Sequence, residues 1–382
     1  MPDIGYNDNL SIGGRKFHIQ TASNFGKGVA RCEVFEEGRL ITMQKIEFER
    51  RKASDEQSME QRIRRIVSEL HQETIDEIDL IFQIAEKVKK LRHAPSNVKL
   101  GLIFLHNNLI SDAIEQFETA LSIDPDSAAA LNNLGLAYIR LGKTNKAIHY
   151  LQQALEKSQP YADIYYNLGL AYLDEKQHYK ALKNFQEALR INPNYLKAQY
   201  HLAIVYLESI ILNKSDSMLP PPSIRLGRAT QQLQKLKENE LKYFNDIYPK
   251  VSSAIEQSEL NTAVEILRNN RERVFPGEVL DLIGIDFYLK FMYGGRGLNN
   301  EIIGKFERQL LRAIDEHPEY ADLWNNLGIV HLIQCRNLFL QALSEFDKAL
   351  EINPSFEKAL KNKKLVENDG KEFLILLRAI LR

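Results

Sequence analysis

The sequence predicts an all-α solenoid of about six to seven helix–turn–helix units, some degenerate, behind a small β-containing module. Three observations carry this expectation. The middle of the chain repeats with a period of 34 residues, the first fifty residues alternate apolar and polar in places, and the stretch after them carries helical apolar stripes. At 382 residues the chain is longer than one small domain, as a repeat array requires. Hydrophobic residues at 44% and charged residues at 26% are ordinary for a folded protein and exclude a disordered or collagen-like chain.

The repeat is read from Leu100-Gly101-x-x-Phe104, Leu134-Gly135-x-x-Tyr138 and Leu168-Gly169-x-x-Tyr172. Twelve residues after each glycine stands Ala113, Ala147 or Ala181. Phe117, Leu151 and Phe185 follow four later, then Ala120, Ala154 and Ala188. Pro125 and Pro193 close their units; the middle unit has Gln159 there and its proline one later. Each unit holds two helical apolar patterns split by a polar break, with small residues where two helices approach and large ones where a neighbour covers them. One such pair cannot bury its apolar faces alone, so the units stack. Spacing and residue types resemble the tetratricopeptide repeat, whose unit is a helix–turn–helix of this length.

The array extends beyond these three units. Leu202-Ala203-x-x-Tyr206 opens a fourth, its second helix delayed to about Ala229 and Leu233 by an insertion at about 213–224 that holds Pro220, Pro221 and Pro222. Residues 244–276 form a degenerate fifth unit with Ala263 and Leu267 in its second helix. A sixth carries Ile283-Gly284-x-x-Phe287 and a loop at Gly294-Gly295-Arg296-Gly297. The seventh reads Trp324-x-x-Leu327-Gly328, Ala342, Phe346, Ala349 and Pro354 as another helical pair. The expected division is therefore a β module at 1–50, a helical connector at 51–93, repeats one to four at 94–243, the degenerate repeat at 244–276, two further repeats at 277–356 and a capping helix at 357–382.

Within the β module, Lys16-Phe17-His18-Ile19-Gln20-Thr21 alternates with period two, and 29–35 and 40–46 form a hairpin around Glu36-Glu37-Gly38-Arg39. The alternation predicts three strands, with Ala30, Cys32 and Val34 on one face and Ile41 and Met43 together on the next strand. Three strands are marginal alone, so the sheet should pack on a helix or another chain. From 54 to 91 the pattern is helical. Met59, Ile63, Ile66 and Leu70 form one stripe and Ile78, Ile81 and Val88 a second. The phase slips at 72–74, which predicts two helices or one interrupted seam. Residues 14–21 also resemble the leader of some bacterial tetratricopeptide proteins, which implies a bacterial source.

A net charge of -1 gives no basic field for nucleic acid. Residues 1–10 lack an apolar secretory segment and no apolar run reaches bilayer length, so a cytoplasmic protein is expected, without a cofactor or metal. Gly26-Lys27-Gly28 lacks the pattern of a phosphate-binding loop. His71 and Glu73 make no metal motif and read as solvated helix residues, as do Asp76, Glu77 and Asp79. Gly294 to Gly297 read as an insertion loop. Cys32 reads as packed on the apolar strand face and Cys335 lacks an activating base. No residue is assigned a catalytic role.

The resemblance implies a binding role instead. In the tetratricopeptide family the first helix of each unit lines a concave surface, and the residue before Leu-Gly faces inward. Here that residue is Asn133, Asn167 and Asn326, with Lys99 and His201 in flanking units. In some members an asparagine at this place bonds a peptide backbone, for which an amide offers both donor and acceptor. Asn132, Tyr166 and Tyr200 precede those residues by one, and Lys197 lies four before His201. Asn167, Lys197 and His201 partly match the family's carboxylate clamp, but Asn132, Leu136 and His201 replace clamp residues and leave it incomplete. The expected function is a non-catalytic scaffold or adaptor for a protein or peptide partner. Two alternatives stand beside it: a subunit or oligomerisation component of a larger bacterial assembly docked through the N-terminal module, and a small-molecule sensor.

Overall fold

The computed structural model describes residues 3–48, 56–158, 161–212, 217–239, 241–275, 277–294, 300–316 and 321–381. The chain divides into two compact units, 1–276 and 277–382.

The first unit opens with a four-stranded antiparallel meander in the order β1 (Gly5–Ile12), β2 (Arg15–Asn24), β3 (Val29–Glu36), β4 (Arg39–Glu47). One strand more is present than the alternation predicts. Strand β1 is written Tyr6-Asn7-Asp8-Asn9, polar on both faces because it is an edge paired only with β2. Gly13 and Gly14, both at positive φ, make the tight turn into β2. Ala30, Cys32 and Val34 are fully buried on one face of β3. On β4, however, Thr42 pairs with Val34 and Leu40 with Phe35, so Ile41 is an extra residue in a bulge. The bulge shifts the alternation by one, burying Ile41 and leaving Met43 exposed, and the expected shared face of Ile41 and Met43 is corrected on that ground.

A single 36-residue helix, α1 (Glu56–Leu91), covers the inner face of this sheet. The apparent phase slip is not a break. Met59, Ile63, Val67, Leu70, Thr74, Ile78, Ile81, Ile84 and Val88 are all buried along one seam, and Val67, not Ile66, belongs to it. Within the continuous helix the Thr74 hydroxyl donates to the Leu70 carbonyl at 2.8 Å, which lets a polar side chain be buried in the seam. Phe82 packs with tilted rings 5.9 Å from Phe17 on β2 and 5.5 Å from Phe104 on the next helix, tying sheet, connector and array together. Arg15 pairs with Glu36 on the sheet and with Asp112 beyond it.

Five helical pairs follow: α2 (Ala94–His106) with α3 (Ile110–Ile123), α4 (Ala128–Arg140) with α5 (Thr144–Lys157), α6 (Ala162–Asp174) with α7 (His178–Ile191), α8 (Leu196–Leu212) with α9 (Pro222–Glu238), and α10 (Lys242–Glu256) with α11 (Leu260–Val274). Gly101, Gly135 and Gly169 are buried at the crossing of their pairs. A Cβ at Gly135 would stand 2.5 Å from Leu151, one at Gly169 2.6 Å from Phe185, and Gly101 meets Phe117 in the same way. Phe117, Leu151 and Phe185 are themselves fully buried. The turns repeat as well. Asn108, Gly142 and Lys176 each take a positive φ seven residues after the unit's glycine, and Ser258 does so between α10 and α11. The next residue donates its N–H back across the end of the first helix, from Leu109 to Phe104, Lys143 to Tyr138, Gln177 to Tyr172 and Glu259 to Ala254, at 2.8–2.9 Å. This is the Schellman closure, which satisfies the orphan carbonyls and reverses the chain. In the fourth pair, Pro222 sits at the first turn of α9, where its missing N–H costs nothing. Part of the expected insertion, 213–216, lies outside the described residues.

The second unit contains α12 (Gly277–Tyr293), α13 (Asn300–Glu316), α14 (Ala321–Ile352) and α15 (Glu357–Leu381). Leu323, Leu327, Val330 and Ile333 on α14 pack with Phe287, Ile303, Phe306 and Leu310. The loop expected at Gly294 to Gly297 lies mostly outside the described residues. The seventh repeat departs from its expectation: both halves belong to one continuous 32-residue helix, α14. Helix α15, over most of the expected cap, packs on α14.

Candidate partner-binding groove

The first helices α2, α4, α6 and α8 lie side by side, because each glycine crossing fixes its pair and the pairs stack. Their inward residues come together in order. Lys99 on α2 is half-buried, and burial lowers its ammonium pKa. On α4, Asn132 and Asn133 are half-buried, and on α6 Asn167 is buried. The Asn167 side-chain amide donates to the Asn132 carbonyl oxygen at 2.9 Å, so two of the amides bond each other across adjacent units. Among the described residues the side chain of Asn133 has no such engagement.

The continuation onto α8 is closed by the chain itself. Helix α11 packs against α8. Tyr200 is fully buried, its hydroxyl donates to the Leu267 carbonyl of α11, and its ring stands edge-on to Phe275 at 5.3 Å. Burial pushes the Tyr200 hydroxyl well above its ordinary pKa, opposed by the nearby Arg271. Tyr166 is buried against Phe185, Tyr195 and His201. Arg271 reaches its hydroxyl at 3.4 Å. His201 is buried too, its Nδ1–H donating to the Lys197 carbonyl at 3.0 Å. Tyr166, Tyr200 and His201 therefore serve as packing beneath α11 and present little surface to a partner. Lys197 stays half-buried at the margin. Asn326 lies on α14 of the second unit, with its amide against Gly284.

The groups that sequence reasoning missed are those of α11. Arg268 Nε donates to Glu208 Oε1 at 2.6 Å, with Glu208 almost buried and His178 3.9 Å from its other oxygen. A signal for this existed: Glu208 is the only charged residue of α8 after Lys197, inside an apolar stretch that could not bury a carboxylate without a cation.

A second polar cluster sits in the β module and corrects the reading of His71 as a solvated residue. His71 is buried under the sheet, with Nδ1 2.7 Å from the Thr21 hydroxyl and Nε2 3.0 Å from Asp8. Thr21 also lies 2.9 Å from the Cys32 sulfur. The order thiol, hydroxyl, imidazole, carboxylate resembles a nucleophile relay, but Cys32 and Thr21 have no solvent exposure, so the cluster fastens the sheet to α1.

Part of the chain is similar to known proteins. The family described as tetratricopeptide repeat matches residues 128–159 and 162–195, and that described as TPR repeat matches 101–142. A curated relative, the protein O-mannosyl-transferase TMTC3 of Homo sapiens, is 32% identical over a stretch covering 39% of this chain and only 18% of that protein. Among solved structures, MamA is 25% identical over 42% of this chain and 92% of its own, with a TM-score of 0.35. YrrB, described as a TPR protein with an unusual peptide-binding site, is 17% identical over 54% and 97%, also at 0.35. A tetratricopeptide repeat protein from Parabacteroides merdae ATCC 43184 is 19% identical over 72% and 98%, at 0.35. Among the described residues no helix is long and apolar enough to cross a membrane. With the repeat signature at 101–195 matched by the family and each of its glycines seated at a helix crossing, the chain is a tetratricopeptide-repeat protein.

Proposed function

We propose that the chain is a non-catalytic interaction scaffold that holds an extended segment of a partner protein along α2, α4 and α6. The observation that carries this reading is the recurrence of Lys99, Asn133 and Asn167 at the same phase of successive first helices, with Asn132 bonded to Asn167 beside them and the Asn133 amide unengaged among the described residues. An amide that accepts and donates matches a peptide unit whatever its side chain. The test is a peptide-display selection on the full chain, followed by titration calorimetry of a selected peptide against wild type and Asn133→Ala. Weaker binding with an unchanged melting curve supports the groove; equal binding moves the site elsewhere.

A second reading, docking of the chain as a subunit through its N-terminal module, has its own observation. The edge strand β4 exposes Leu40, Met43 and Ile46. An edge strand with exposed apolar side chains is a surface for another chain. Selected peptides that lose binding on Met43→Lys and keep it on Asn133→Ala would favour this reading.

A further inference from the structure

The second helices of the array change sign at one repeated position. Asp112, Lys146 and Lys180 follow each other at intervals of 34 residues, each in the first turn of its helix, α3, α5 or α7. In the first unit the Asp112 carboxylate is taken by Arg15 of the sheet. In the next two units the same place carries an ammonium, and neither α5 nor α7 has an acidic residue in its first turn. A cation there opposes the helix dipole, which favours Asp or Glu at that end. Helix stability therefore does not account for these lysines.

They belong to a larger group. Lys143 and Lys146 lie at the start of α5, and Lys176, Lys180 and Lys183 at the start of α7; all five are exposed. Both helices pack on α6, so the two sets sit on neighbouring pairs. Lys146 stands 5.3 Å over the ring of Tyr138 and Lys180 5.2 Å over Tyr172, the same contact in successive units. Lys183 stands 5.5 Å over Tyr179. An aromatic face holds an ammonium in place without neutralising it. Among the described residues none of the five lysines has a carboxylate partner. The far ends of the same helices are ordinary by contrast: Lys157 pairs with Asp126 at 2.7 Å and Arg190 with Glu187 at 2.8 Å.

We infer that the ridge of Lys143, Lys146, Lys176, Lys180 and Lys183 binds an acidic segment of a partner protein, whose carboxylates supply the counter-charges. Lysine ammonium groups are point charges on flexible stems and suit carboxylates at irregular spacing, whereas phosphate recognition favours the planar fork of Arg. Glu175 lies next to Lys176 in the chain and the net charge is -1, so no continuous basic field serves a nucleic acid or an anionic bilayer. The ridge is on the second helices and does not rest on the groove reading.

The test uses the full chain and a fluorescent oligoglutamate of about ten residues, long enough to span two neighbouring pairs, followed by anisotropy. Wild type should bind it at low salt and release it near about 1 M salt, where screening acts within about 3 Å. Lys146→Gln with Lys180→Gln should weaken binding about fivefold, and Lys27→Gln with Arg31→Gln, which removes the same charge from the sheet, should leave it unchanged. Lys146→Glu with Lys180→Glu restores the ordinary sign of the first turn, so it should keep its melting curve and lose binding. No binding by wild type, or equal losses in the ridge and sheet variants, overturns the proposal. Tighter binding of duplex DNA or phosphatidylserine vesicles through the same lysines overturns the assignment to an acidic protein segment. Asn133→Ala should bind oligoglutamate as wild type does; a loss there would place the probe in the groove and overturn the ridge.

Discussion

The pairs between residues 94 and 191 and the helix that begins at Ala321 share one signature and reach different ends. In the former, Leu-Gly is followed by a turn whose left-handed residue lets the second helix fold onto the glycine. In the latter, the glycine and its distant partners are kept, but the intervening residues continue the helix. The lesson is that a repeat signature records which faces fit, while the residues between them decide whether they meet within one chain. Residue type at the reversal does not decide this alone: Lys176 turns at positive φ, whereas Asn337, at the equivalent place before Ala342, stays helical.

This contrast can be tested from the strongest effect down. Phe185→Ala should destabilise the chain by about 3–5 kcal/mol, because it empties a fully buried slot opposite Gly169. Phe346→Ala, measured by the same denaturant titration, should cost less, because Phe346 is only half-buried. Next, Gly135→Leu should cost about 1–3 kcal/mol by overpacking Leu151, whereas Gly328→Leu should stay within about 0.5 kcal/mol under the same conditions. Equal costs for the two glycines would remove the distinction between the units. Gly142→Ala, at a φ of 67°, should lower stability by about 1 kcal/mol through backbone strain alone, read as a shift in the unfolding midpoint.

Within the groove the expected changes are smaller. Asn133→Ala should weaken a bound peptide by about 0.5–1.5 kcal/mol and leave the melting curve in place. Tyr200 supplies a pH test. Its raised pKa means that the neutral hydroxyl is favoured in the folded chain, so its contribution is complete below the ordinary value of 10.0 and is lost as pH rises beyond it. Denaturation midpoints should therefore fall above pH 10 in wild type, and the part of that fall due to this group should vanish in Tyr200→Phe.

Much of the architecture is legible in the sequence wherever the information is local or periodic. The glycine–alanine–aromatic spacing of 101–188 marks the crossings, and the alternation of 16–21 and 29–35 marks the strands. What is lost depends on partners distant in sequence. Strand β1 is polar because only one of its edges is paired. His71 and Thr74 look like a break in the α1 stripe because their companions, Asp8, Thr21 and Gln44, are on the sheet. The candidate groove follows the same division. Asn132, Asn133 and Asn167 come from the repeat phase, whereas the burial of Tyr166, Tyr200 and His201 comes from α11, whose own sequence reads only as a degenerate repeat.

The position of α11 also sets a length. With α8 covered, the partner segment proposed above runs over Lys99, Asn133 and the Asn132–Asn167 pair, across three neighbouring helices. Helices packed at 8–10 Å place the outer two about 20 Å apart, and an extended chain advances about 3.3 Å per residue. A segment that reads all three is thus roughly six residues long. Such a stretch fits in a tail or a surface loop, so the scaffold would recognise a short linear word within a partner and have no need to grip its folded body.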